Sequence, residues 1–295
     1  MITQMNPILL PVLSSVNSHE KDVNLHFDEP THKYTILTDP TSSYTSVTTW
    51  NHQHFPHFDA NLVIQNMMNG KNWNSKHKYW GKTPEQIKKE WNDNGSLVSG
   101  LGTTMHFHIE CFMNQEVEYE DGSVCKYTHD DLLQVYEPLP ENTPEWDYFL
   151  KFVKDFPHLK PYRTEWMIYD EELKLAGSID MVYENEDGSL SIYDWKRSKE
   201  ISKFSFMKEH ATTECIKHLP NTNFWHYSLQ LNTYKAMLEK SYNKKVTDLY
   251  LVRLHPNNTK KTYDLIKCAD LSKEVNLLFE YRKQLLTEKE EKEKE

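Results

Sequence analysis

Two neighbouring runs in the middle of the chain, Gly177 to Tyr183 and Ser189 to Trp195, alternate apolar and polar positions on either side of Glu186-Asp187-Gly188. A period of two marks half-buried strands, and Asp and Gly tolerate the positive φ of tight turns, so the stretch predicts a β-hairpin. Arg163 to Tyr169 predicts a strand ahead of it, Val246 to His255 a strand behind it, and Tyr263 to Cys268 an edge strand. Helical spacing of apolar residues predicts Pro144 to Phe156, capped by Thr143, and Phe224 to Lys240. A closing helix is expected over Leu271 to Leu286 with Ser272 as its cap. Nearer the start, NLHFDEPTHKYTIL reads as two short strands around Glu29-Pro30, followed by a helix near Phe58 to Met68. Thr83-Pro84-Glu85 signals a helix start, and Thr103 or Thr104 a second one. Residues 114–142 are acidic and turn-rich, read as a hairpin plus connector, and residues 200–223, with Phe204 and Phe206, as an irregular loop or arch.

These elements divide the chain into a flexible leader (1–22), a mostly helical N-terminal subdomain (23–99), a core (100–286) and a charged tail (287–295). A hydrophobic content of 38% with 13% aromatic residues supports a folded core rather than disorder. The net charge of -10 is not that of a non-specific DNA coat, so any nucleic-acid contact has to use local basic and aromatic patches. Cys111, Cys125, Cys215 and Cys268 are scattered with no C-x-x-C pair, which offers neither a zinc site nor an iron–sulfur clasp and suits free thiols in a reducing compartment. No stretch resembles a membrane span, and the first twenty residues lack Arg and Lys, so an intracellular, cytoplasmic or nuclear, protein that is not secreted is expected. His52, His54 and His57 lie in a loop-like run and read as surface or partly packed imidazoles.

The hairpin also carries chemistry. Centred near Asp187, it sets Asp180 directly across from Asp194, with Lys196 two residues on and therefore on the face of Asp194. Opposed like charges destabilise a sheet, and a hard divalent cation relieves the repulsion, since Mg²⁺ binds carboxylate oxygens at about 2.1 Å. A lysine beside that site can orient an attacking water and offset charge on a phosphorane-like transition state, which is the chemistry of phosphodiester hydrolysis. Upstream, His106 and Glu110 stand one helical turn apart, where an imidazole brought to the carboxylates adds a nitrogen ligand.

Asp180, a turn and then Asp194-Trp195-Lys196 resemble the PD-(D/E)XK nuclease motif, and Gly177-Ser178-Ile179-Asp180 is similar to the G-x-x-D of its RecB-like branch. Gly102 to His106 is similar to that branch's G-x-x-x-H, and Gln230 to Tyr234 to its Q-x-x-x-Y, the motif shared with mitochondrial genome maintenance exonucleases. The motifs occur in the family's order and cover roughly residues 100–255. The resemblance implies an α/β, restriction-endonuclease-like core with a small mixed central sheet flanked by helices. It implies Mg²⁺ or Mn²⁺ held by His106, Asp180, Asp194 and the carbonyl of Trp195, with Asp180, Asp194 and Lys196 catalytic. Glu165, on the preceding strand, stands either in or behind the metal shell or as an exposed strand-end carboxylate. Gln230, Tyr234, Arg197 and Ser198 are the substrate-binding candidates, the last two in a basic flank with Lys199. The implied activity is an exonuclease on DNA ends or single strands in repair, recombination or replication. A structure-specific endonuclease and an inactive nucleic-acid-binding protein of the same fold are the alternatives.

Overall fold

The computed structural model describes residues 12–117, 127–137, 143–205 and 208–292. Its first half contains α1 (Val12–Val16), β1 (Leu25–Asp28), β2 (Lys33–Ile36), β3 (Thr45–Ser46), α2 (Val47–His52), α3 (Ala60–Met68), α4 (Pro84–Met113), α5 (His129–Val135) and α6 (Pro144–Asp155). The second half contains β4 (Lys160–Asp170), β5 (Leu175–Glu184), β6 (Leu190–Lys196), α7 (Asn223–Ser241), β7 (Val246–Arg253), β8 (Asp264–Lys267) and α8 (Ser272–Lys292). β1 and β2 pair as a small antiparallel ribbon around the expected turn. The main sheet runs β4-β5-β6-β7-β8, with β3 laid against the start of β5. Only the β6–β7 and β3–β5 pairings are parallel, so the sheet is mixed, and the expected α/β architecture is present.

Alternation along β6 shows how the sheet is sandwiched. Leu190 and Ile192 pack into a core with Leu229, Leu231 and Leu238 of α7 and Val275 and Leu278 of α8. Tyr193 and Trp195 point the other way, into a core with Ile109 and Phe112 of α4 and Phe149 and Phe152 of α6. The alternation slips in β5: Ile179 belongs to the first core, whereas Met181, two residues later, belongs to the second. Asp180 sits at that slip.

Several local expectations change. Thr83 caps α4 in a capping box with Gln86, but the helix does not restart at Thr103 or Thr104. Their hydroxyls donate back to the carbonyls of Ser99 and Gly100 at 3.2 and 3.1 Å, the bond a mid-helix Thr makes when it is not a cap. α4 therefore runs for 30 residues across Gly95, Gly100 and Gly102, and no residue between Ile87 and Met105 is buried. The acidic 114–142 segment contains α5, whose Thr128 and Asp131 form a capping box; residues 118–126, with Cys125, and 138–142 lie outside the described residues. Residues 12–22 of the expected leader lie against β4: Leu13 is buried, Asn17 Nδ2 donates to the Tyr162 carbonyl at 2.8 Å, and Arg163 binds Asp22 at 2.7 Å. At the other end Asp270, rather than Ser272, accepts the first free amide of α8 at 3.0 Å, and the helix continues to Lys292.

Candidate active site

The hairpin turn closes with Gly188 N donating to the Asn185 carbonyl at 3.0 Å, Gly188 taking φ +77° and Asp187 Oδ1 accepting from Ser189 N. From there the β5–β6 ladder runs back to its last pair, Met181 opposite Tyr193, and Asp180 and Asp194 are the next residues beyond it. On its other side β5 pairs with β4 at Thr164–Met181 and Trp166–Ile179, which puts Glu165 opposite Asp180. Glu165, Asp180 and Asp194 thus occupy one row across three adjacent strands. The ladder opens at this row. Glu165 takes φ +42°, a region costly for a side chain with a Cβ, and the Trp195 amide donates to Asp180 Oδ2 at 3.0 Å.

His106 enters from α4. Its Nε2–H donates to the Trp195 carbonyl at 2.9 Å, which fixes the tautomer and leaves Nδ1 facing Asp180 Oδ2 at 3.6 Å and Glu165 Oε1 at 3.7 Å. Ligand atoms of His106, Glu165 and Asp180 all lie within 4.8 Å of one another. Burial alone would lower the imidazole pKa, but the charge of Asp180, followed by the hydrogen bond and charge of Glu165, outweighs it and pushes the group up to about 9. Ser178 Oγ holds Glu165 by donating to Oε2 at 2.9 Å. One turn beyond His106, burial and then the Glu165 charge raise Glu110 to about 7.

Asp194 is only 2% exposed, and its Oδ2 makes no directed hydrogen bond; its partner is the Lys196 ammonium at 2.6 Å. Burial, then the charge of Asp180, raises the Asp194 carboxyl, with Lys196 acting against both. Burial works against the Lys196 charge too, yet Asp194 and Asp180 hold it protonated. The ammonium also lies 4.7 Å over the ring of Tyr227, a cation–π contact from α7.

Tyr227, Gln230 and Tyr234 form one stripe of α7. Gln230 Nε2 reaches the Tyr234 hydroxyl and Thr48 Oγ1, both at 3.4 Å. The phenol end of Tyr234 abuts Gly177: a Cβ there would meet ring Cε1 at 2.8 Å and the hydroxyl at 2.9 Å. Gly177 is glycine because this aromatic side chain from α7 occupies the space beside it.

A family model described as the PD-(D/E)XK nuclease superfamily matches residues 101–294. The chain belongs to that superfamily. A search of curated proteins found no match. Superfamily membership implies a nuclease that hydrolyses phosphodiester bonds with a divalent cation. The donor set suits one: an imidazole nitrogen facing two converging carboxylates, and a third carboxylate raised by its burial and then by the Asp180 charge.

Within the nuclease core, His106, Glu165 and Asp180 form the close cluster, Asp194 pairs with Lys196 behind it, and the Trp195 carbonyl spends one lone pair on His106. Arg197 is turned inward, its Nε donating to Glu145 Oε1 of α6 at 2.7 Å with 12% of its side chain exposed. Ser198 Oγ donates to the Glu200 carbonyl, and Lys199 is exposed. Sequence reading passed over Ser178, Tyr227 and Thr48. Ser178 stands two residues from Asp180 in the G-S-I-D run, and Tyr227 precedes Gln230 by three, a helical spacing that names the same face. No local signal marks Thr48. Among the described residues no helix is long and apolar enough to cross a membrane.

Proposed function

We propose that the protein is a Mg²⁺- or Mn²⁺-dependent deoxyribonuclease of the RecB-like branch, acting as an exonuclease on DNA ends or single strands in repair, recombination or replication. The carboxylate row closed by His106 and backed by Lys196 carries this reading. The contact between Gly177 and Tyr234 supports the branch, because it joins the G-x-x-D strand to the Q-x-x-x-Y helix. His106, Glu165 and Asp180 would hold a divalent cation, with Asp194 and the Trp195 carbonyl as neighbouring donors, and that cation would supply Lewis-acid polarisation of the phosphodiester. Lys196, held as a cation, offsets charge developing on the phosphate and orients the attacking water through its N–H donors. Gln230, held by the hydroxyl of the buried Tyr234, positions the scissile strand, and Lys199, with Ser198, receives its backbone. Three unpaired cysteines among the described residues suit a reducing, intracellular setting.

The test is a nuclease assay on end-labelled single-stranded, linear duplex and closed circular DNA with Mg²⁺, Mn²⁺ or EDTA, beside Asp194→Ala. Metal- and Asp194-dependent loss of linear DNA with intact circles is the expected result. Nicking of circles would convert the reading to an endonuclease, and binding without turnover by folded protein would sink the enzyme reading.

A further inference from the structure

Residues 58–91 lie outside the stretch that matches the nuclease superfamily. They hold six lysines and three acidic residues, a positive excess within a chain of net charge -10. They also carry a continuous row of rings. Trp80 stands 5.8 Å from Trp73, Trp73 4.8 Å from His77, and His77 5.9 Å from Tyr79. Tyr79 is 6.0 Å from Trp91 and Trp91 6.1 Å from Phe58. None of these rings belongs to either core of the sheet. Phe58 is 73% and Trp80 49% exposed. Lys71 and Lys76 are exposed and make no ion pair among the described residues, and the Lys78 ammonium lies 4.7 Å over the Tyr79 ring.

A buried role does not account for Phe58 and Trp80, which are left exposed, and an acidic protein surface would meet the lysines but leave the aromatic faces without stacking partners. Stacking faces interleaved with cations match a flexible polyanion whose bases are unpaired. We propose that residues 58–91 form a docking surface for single-stranded nucleic acid, with bases stacking on the row ending in Trp80 and phosphates meeting Lys71 and Lys76. The surface is rigidly indexed to the carboxylate row, because Trp91 and His106 belong to the same unbroken helix. The helix between them spans about 22 Å at a rise of ~1.5 Å per residue, which about six stacked nucleotides cover at ~3.4 Å each. This placement rests on the nuclease reading; the docking itself does not.

Binding of fluorescein-labelled single-stranded DNA of twenty and of five nucleotides is measured by anisotropy with the full chain in EDTA, for wild type, Trp80→Ala and Lys71→Ala/Lys76→Ala. Trp80→Ala should weaken the longer strand about fivefold or more, the lower end of one lost base stack. The double lysine variant should lower the slope of log affinity against log salt by about 1.4, at ~0.7 per lost phosphate contact. The shorter strand should bind more weakly than the longer one and lose affinity with Trp80→Ala in the same direction, and circular dichroism should show all variants folded. Absent binding of the longer strand by wild type, or affinities and slopes unchanged in both folded variants, overturns the proposal. Cleavage with Mg²⁺ separates the two readings. Trp80-dependent binding without cleavage keeps the docking surface and removes the nuclease; cleavage with Trp80-independent binding does the reverse.

Discussion

Lys196 brings an ammonium into a site where its side chain is 17% exposed and a buried carboxylate stands 2.6 Å away. Because Asp194 and Asp180 hold it charged, the proposed function gives it the part of a fixed positive charge beside the phosphate. Lys196→Ala should therefore lower kcat by about 10²- to 10³-fold, the scale of removing one preorganised donor, while DNA affinity measured in EDTA stays near wild type. Equal losses in binding and turnover would refute that assignment. His129 illustrates a titratable group used for packing. It is fully buried, hydrogen-bonded to the Tyr183 hydroxyl at 2.8 Å, and burial lowers it from 6.5 to about 3. Below pH 6.5 the unfolded chain takes up that proton and the folded chain does not, so this stability is full above 6.5 and drains away as pH falls. In urea unfolding, the stability advantage of wild type over His129→Gln should shrink by about 1 kcal/mol between pH 7.5 and 5.5. Taking the difference cancels Glu110 and His106, whose raised values act in the opposite sense. A pH-independent difference would remove His129 as the cause.

At the scale of elements, the site depends on a strand and a helix that touch at one glycine. Gly177→Ala drives a methyl into the Tyr234 ring, whose position in the core leaves it little room to yield. The expected cost is about 1–3 kcal/mol, and the same change in a Tyr234→Leu background should cost much less. A double-mutant cycle by chemical denaturation measures the coupling; additive single costs would show that the contact does not limit packing. The same scale explains where sequence reading of the site stopped. The register of the hairpin was legible, because Asp187 and Gly188 specify the turn and alternation does the counting. The slip at Asp180 was not, since strict alternation assigns Ile179 and Met181 to one face and the structure sends them to opposite cores. Nor was the continuity of α4: glycines and threonines that read as a break are carried by back-bonded hydroxyls inside one long helix.

For the whole molecule, a bound cation should stabilise the fold through the row it neutralises. A cation at about a hundred times its Kd adds about 2.7 kcal/mol, so Mn²⁺ should raise the melting temperature on the order of 5 °C. Asp180→Asn should abolish most of that rise, and an undiminished shift in the variant would place the cation elsewhere. The sequence by itself determined the strands of the hairpin and its neighbours and the helices α6, α7 and α8, because periodicity, caps and turn residues are local and these segments are strongly patterned, while the α/β class came from the family resemblance. It also brought Asp180 and Asp194 to the open end of the hairpin, just past its last ladder pair, since hairpin register is counted along the chain from one turn. The tertiary structure decided which groups share a site. Glu165 joins Asp180 through the β4–β5 register, His106 arrives on a helix from the other side of the sheet, and Tyr227 and Tyr234 close in from α7. Those meetings depend on how the layers pack across long separations in sequence, and no local pattern records the distance at which two layers come to rest.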